Sequence, residues 1–325
     1  MINSLKKNIW TIFAIIICIV VMLFVGQKTY YALIIALFGI YSMVATSLDV
    51  LFGYTGQISL GHAGLFAIGA YSTTLLTTKL GIPTLLALLL GTIITTITGM
   101  LIAIPASKLV KHFLSLLMIA FGQIVYLIIN SWISLTGGSL GIMYIPHLSI
   151  FGFSIDTNLK NAIVIWILLS LMLIIKKRIV NSRVGEAFVA IRENTVAARG
   201  LGIDVRKYKI LAFAISAAMT GIAGGLYAFL RGFISPETFN GTQSTLFMTM
   251  LLFGGVTTLA GPVIGASTLL LVKEVFQSFS NWQGLIYALF LLIVLFFFPQ
   301  GIIGLFNNIK SIAKNRVNKK EIGGK

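Results

Sequence analysis

The sequence predicts an all-α, polytopic transmembrane helical bundle of about eight to ten spans, forming a single domain over residues 1–325. Three observations lead there. Hydrophobic residues make up 58% of the chain and charged residues only 10%, whereas roughly a quarter of a soluble domain is charged. The mean hydropathy is +1.00. Apolar runs of about 20 residues, the length that crosses a bilayer in helical form, recur from end to end. The ten-residue alternation of an outer-membrane barrel is absent.

Taken in order, "MINSLKKNIW" and the apolar "TIFAIIICIVVMLFV" have the basic-then-apolar arrangement of a signal peptide. No small-residue cleavage site follows, and a second apolar run begins almost at once. The segment near 9–25 therefore reads as an uncleaved first helix. Cys18, the single cysteine, lies inside it and reads as a small core residue. Further spans are expected near 30–52, 62–78, 83–104, 113–133, 161–176, 209–230, 242–260, 263–281 and 283–299. The glycine-broken segments 53–62 and 253–262 are open to a re-entrant reading.

The net charge of +16 would suggest nucleic acid in a soluble protein; here it is a topology signal, and no nucleic-acid partner is expected. Threading with both termini in the cytoplasm puts 19 of the 24 basic residues inside, among them the 176–209 segment and the tail 310–325. Four fall outside (Lys28, Lys79, Lys160 and Arg231), and Lys273 stays within a span. That asymmetry obeys the positive-inside rule and implies a multi-pass protein of the bacterial inner (plasma) membrane, in contact with lipid.

Two connections are long. Residues 134–160 form an external, Gly-containing loop with few charges. Residues 177–209 form the sizeable cytoplasmic loop, "KRIVNSRVGEAFVAIRENTVAARGLGIDVRKYK". Within it the pattern predicts two short helices, broken near Asn194 and Thr195 and ended by Gly200 or Gly202. Small apolar residues lie on one face, ringed by charges such as Glu186 and Arg192. Such a helix suits either a groove on a soluble partner or a bed of lipid headgroups.

The spacing of Ala197, Ala198 and Gly202 resembles the "EAA" loop of ABC importer permeases, with Val196 where the first Glu would stand. Three stretches widen the resemblance: "GYTGQISLGHAGLFAIGAY", "RVGEAFVAIRENTVAARGLGIDVRKYKILAFAISAAMTGIAGGLYA", and "LLFGGVTTLAGPVIGA" followed by "FFPQGIIGLF". Together they are similar to the LivM-type permease subunit of branched-chain amino-acid ABC importers, from about residue 40 to 306. The resemblance implies a second, LivH-type permease, two cytoplasmic ABC ATPase subunits and an extracytoplasmic solute-binding protein. It assigns ATPase coupling to Ala197, Ala198 and Gly202, and the charged rim of the loop helices adds Glu186 and Arg192 as coupling candidates. Permeases of the same superfamily for urea, amides, sugars or nucleosides share the architecture. The chain has no G-x-x-x-x-G-K-[ST], HExxH or Cys cluster, so no enzymatic activity, cofactor or metal is expected of it.

Glycines and polar groups coincide at Gly53, Gly56, Gln57, Ser59, Gly61 and His62. Two readings stand: a broken helix lining the translocation path or its inner gate, and close packing between permease subunits. Gly221 with Gly225, and Gly261 with Gly265, form GxxxG patterns that predict helix-packing faces. Asp49 and Glu274 are the acidic residues within the spans. Each is a candidate transport residue, and they keep an ion-coupled secondary transporter in play. Asp49 is expected near a helix end, where hydration is cheap.

Overall fold

The computed structural model describes residues 29–276, apart from Val110 and Phe151, together with Leu289 and Leu292. The predicted first span, the last span apart from Leu289 and Leu292, both chain termini, the basic tail 310–325 and the "FFPQGIIGLF" stretch lie outside the described residues.

Helix α1 (Thr29–Leu48) continues into a π-helical segment, Asp49–Tyr54. After a non-helical stretch come α2 (His62–Thr78), α3 (Thr84–Ala106) and α4 (Lys111–Ser131). The long 132–157 connection holds a short helix, α5 (Ile133–Thr136), a 3-10 turn at Gly138–Leu140 and a two-stranded hairpin, β1 (Ser149–Ile150) with β2 (Phe153–Ser154). Then follow α6 (Asn158–Val180), two short helices α7 (Arg183–Glu193) and α8 (Thr195–Gly200), the long α9 (Val205–Arg231), α10 (Gly241–Gly254) and α11 (Gly261–Phe276). Among the described residues, four helical stretches are long and apolar enough to cross a membrane: Thr29–Tyr54, Thr84–Ala106, Phe113–Ser131 and Val205–Arg231. Among the others, α10 has 14 residues and a length of about 21 Å, less than the ~30 Å of a hydrocarbon core.

Helix α9 is the hub, packing on α1, α2 and α3. Its buried face carries Ala212, Ala214, Ser216, Ala217, Gly221, Ala223, Gly224, Gly225 and Ala228. Where hydrocarbon surrounds every helix, hydrophobic burial favours no particular contact, so small residues and close backbone approach hold helices together. A Cβ on Gly69 of α2 would stand 2.6 Å from the Gly221 carbonyl oxygen. Gly221 and Gly225 face α3 and α2, and Gly261 and Gly265 fit α11 against Gly254 of α10; both GxxxG patterns thus pack within this chain. An aromatic cluster of Phe66, Tyr71, Tyr227, Phe239 and Phe247 fills the space between α2, α9 and α10.

Contacts between loops mark two ends of the bundle. At one, Asn158 donates to the Thr29 carbonyl (3.1 Å), Ile142 bridges Ile234, and the Thr84 and Ser149 hydroxyls meet at 2.9 Å. There Lys160 pairs with Asp156 at 2.8 Å and holds that exposed carboxyl below the usual carboxylate range. The other end carries α7 and α8. The four external basic residues of the charge reading include Lys79, Lys160 and Arg231, which gather at the first end.

Candidate functional site

The α7–α8 elbow is built by its caps. Ser182 accepts from the Val184 amide, and the Asn194 side chain accepts from Val196 and Ala197, starting a new helix where α7 ends. Gly202, at φ +81°, closes the elbow, a conformation that favours glycine. Ala198 is buried with Ile191 and Val205, which ties the elbow to the start of α9. Ala197, Gly200, Gly202 and Glu186 are exposed, and Val196 and Leu201 project outward at 75% and 80% exposure. The predicted coupling residues therefore divide: Ala198 holds the elbow's shape, and the outward tip is apolar.

The elbow reaches the broken stretch through the Arg192 side chain. Arg192 donates from Nη1 to the Gly53 carbonyl at 2.8 Å, and from Nε and Nη2 to Glu193. Gly56, at φ +68°, lies against it: a Cβ there would stand 3.1 Å from Arg192 Cγ. The guanidinium thus caps the carbonyl end of α1, where helix geometry leaves oxygens without intrahelical partners.

From Gly56 to Gly61 the chain is not helical, and it re-enters the bundle to begin α2 at His62. Gln57, Ser59 and His62 are buried. Ser216 Oγ donates to the Ser47 carbonyl (2.9 Å), so at 2.8 Å it accepts from His62 Nε2–H. Nδ1 then accepts from Ser59 Oγ at 2.7 Å. The chain continues from Ser47 Oγ to Thr220 Oγ1 at 2.8 Å. Both ring nitrogens are satisfied, and His62 ties the break to α9. Gln57 donates to Thr55 Oγ1 at 2.8 Å, while its buried carbonyl oxygen has no partner among the described residues.

Asp49 does not lie at a hydrated helix end. It is fully buried, and so is its partner Lys176, 2.6 Å away on α6. The sequence reading had placed Lys176 in the cytoplasm with its basic neighbours. At that end of the bundle its ammonium turns inward instead of into solvent, because the turn after α10 offers it the Thr258 carbonyl at 2.9 Å. Asp49's other oxygen accepts from the Thr257 amide at 2.7 Å. Glu274, by contrast, is half-buried and accepts from the Tyr30 hydroxyl, linking α11 to the start of α1.

A cavity of about 230 Å³ opens beside the break, lined by residues that include Leu60, Gly122, Gln123, Asn240, Ser244 and Thr245. Ser244 Oγ accepts from the Ala63 amide at 2.9 Å, which sets the first turns of α2 and α10 against each other. Sequence reasoning missed Gln123, Asn240, Ser216 and Lys176. A glutamine inside an apolar run was the one signal available for the first.

The profile of the family described as branched-chain amino acid transport system / permease component matches residues 30–298. The chain belongs to that family. Over 287 residues it is 28% identical to the high-affinity branched-chain amino acid transport system permease protein LivM of Escherichia coli (strain K12), covering 81% of this chain and 68% of LivM. It is also 28% identical over 286 residues to the LivH permease protein of the same organism, covering 81% and 91%. The probable LivM of Methanocaldococcus jannaschii is 25% identical over 323 residues, covering 84% and 92%. No solved structure matches the chain. This family member is a multi-pass membrane permease subunit, and its matched region contains both the break at 55–61 and the α7–α8 elbow.

Proposed function

We propose that this permease subunit forms half of the membrane path of an ATP-driven importer for branched-chain amino acids (leucine, isoleucine and valine). Its companions are a LivH-type permease, two cytoplasmic ATPases that dock on the α7–α8 elbow, and an extracytoplasmic binding protein. The elbow end and both termini face the cytosol, as the basic asymmetry favours. The observation that carries the reading is the elbow itself: an apolar tip at Val196 and Leu201, joined through Arg192 to the break that begins α2. The cavity beside that break, largely apolar with Gln123, Asn240, Ser244 and Thr245 on its wall, supports a path for an apolar-sided amino acid there, as does Gln57's unpartnered carbonyl. Such a group costs about 1–3 kcal/mol to leave unsatisfied and favours a conformation in which water or solute reaches it.

The test is reconstitution of the four kinds of subunit in proteoliposomes with ATP trapped inside and radiolabelled leucine with binding protein outside. ATP-dependent leucine uptake is expected. Leucine uptake by the chain alone, driven by an ion gradient, overturns the reading.

A further inference from the structure

Four separate pieces of backbone meet at Asp49. The carboxylate takes Lys176 Nζ of α6 on Oδ2 at 2.6 Å and the Thr257 amide on Oδ1 at 2.7 Å. Lys176 also donates to the Thr258 carbonyl at 2.9 Å and lies 5.9 Å from the centre of the Tyr54 ring. Tyr54 donates to the Thr257 carbonyl at 3.0 Å. Thr257 is thus held at both its N–H and its C=O, and it has φ +60°, which a β-branched residue adopts only under constraint. On the other side, Arg192 of α7 holds the Gly53 carbonyl, one turn from Asp49. Gly53 is part of the device, since a Cβ there would collide with the Asp49 carboxylate. The α1 segment that supplies these groups is π-helical, a local widening often found at functional sites.

Neither charge of the pair has access to water. Separating them would leave two uncompensated ions in a low-dielectric interior, so the cluster moves as one piece or comes apart at great cost. An ion pair serving stability alone would have no need of two further elements, the 255–260 turn and α7. We propose that Asp49 and Lys176 are positioning residues of energy coupling: a strut that makes the α7–α8 elbow, the end of α1 and the 255–260 turn move as one body. Displacement of the elbow by a partner is then delivered to the break at 55–61 and to the α10–α11 hairpin together. This rests on the importer reading above and adds to it which residues carry the movement.

The experiment uses the complete importer in proteoliposomes, with ATP hydrolysis and leucine uptake measured on the same sample. The double variant Asp49→Asn/Lys176→Met keeps the shape and removes both charges. The expected result is an assembled complex whose ATPase rate stays within about two-fold of wild type while leucine uptake per ATP falls at least ten-fold. An unchanged uptake-to-ATP ratio shows a merely structural pair and overturns the strut. If the double variant does not assemble, Tyr54→Phe and Arg192→Gln each remove one outer bond and should lower the ratio several-fold; unchanged ratios in both overturn the proposal. A second readout does not depend on the solute. Spin labels at Arg199→Cys and Ala260→Cys, in a Cys18→Ala background, should keep one separation with and without ATP in wild type, and lose it in the double variant. A wild-type separation that changes by several ångströms on ATP binding refutes the single body. A wild-type importer with no ATP-dependent uptake refutes instead the reading on which the strut rests.

Discussion

Replacing Val196 and Leu201 together with serine should weaken ATPase docking by about two orders of magnitude. The two side chains are 75% and 80% exposed, so nearly all their apolar surface is free for a partner. Complete burial of a Val or Leu contributes about 1.5–3 kcal/mol. Allowing for incomplete burial in a groove, the pair contributes about 3 kcal/mol, or roughly 100-fold in Kd. The elbow itself should not suffer, since its own packing uses Ala198, Ile191 and Val205, and exposed substitutions usually stay within about 0.5 kcal/mol. Ala198→Leu is the contrasting variant: overpacking this buried site should cost about 1–3 kcal/mol of loop stability and change the elbow's shape. The assay is titration of labelled ATPase subunit onto the permease pair in nanodiscs. A Kd within about three-fold of wild type for the double serine variant, with uptake intact, would refute the docking argument, whose magnitude rests on the hydrophobic coefficient.

Three further outcomes are expected. Gly69→Leu should prevent assembly of the bundle, because its Cβ would meet the Gly221 backbone at 2.6–2.7 Å and backbone cannot yield; size-exclusion of detergent-solubilised protein reports it. His62→Leu should lower thermal stability by about 1–3 kcal/mol, since it strips Ser59 of its partner deep in the bundle, while His62→Gln should recover part of the loss. Gly56→Ala and Gly81→Ala impose similar left-handed strain, at φ +68° and +64°, worth about 1 kcal/mol each. Only Gly56 lies against Arg192, and nothing stands within 4 Å of a Cβ on Gly81. Uptake should therefore fall in the first variant and not in the second, and equal uptake would remove the Arg192 contact from the mechanism.

The break at 53–62 was legible because two signals coincide: glycines that weaken a helix and polar side chains that hydrocarbon excludes. The elbow was legible for a similar local reason. Asn194 is a cap within four residues of the helix it starts, and Gly202 closes the helix it follows. What sequence could not supply was partnership across distance. Ser216 is 154 positions from His62, and Lys176 is 127 from Asp49. The "KKR" run at residues 176–178 looks like an ordinary hydrated end of a span. Which lysine turns inward is decided by the carbonyl that the 255–260 turn presents, a tertiary fact with no local trace. The side of the elbow that Ala198 faces escaped for the same reason, since the angle between α8 and α9 fixes it.

The same polar bookkeeping distinguishes two helices that the hydropathy profile treats alike. In the single chain both α3 and α4 are mostly uncovered, with 28% and 22% of their most apolar windows buried. On α3 the uncovered side carries Leu86, Leu89, Leu90, Ile93, Ile97 and Leu101, and Thr98 turns its hydroxyl back onto the Ile94 carbonyl of its own helix at 2.8 Å. That surface asks nothing of its surroundings and suits lipid. On α4, Gln123 is exposed beside Asn240, Gly241 and Thr245 at the mouth of the cavity. A glutamine amide has two donors and an acceptor to satisfy, and hydrocarbon offers nothing for them. The α4–α10 side therefore belongs against a companion subunit or a water-filled path. Since α2 begins on that same side, the break tied to the elbow and the face that needs polar company are one region of the molecule.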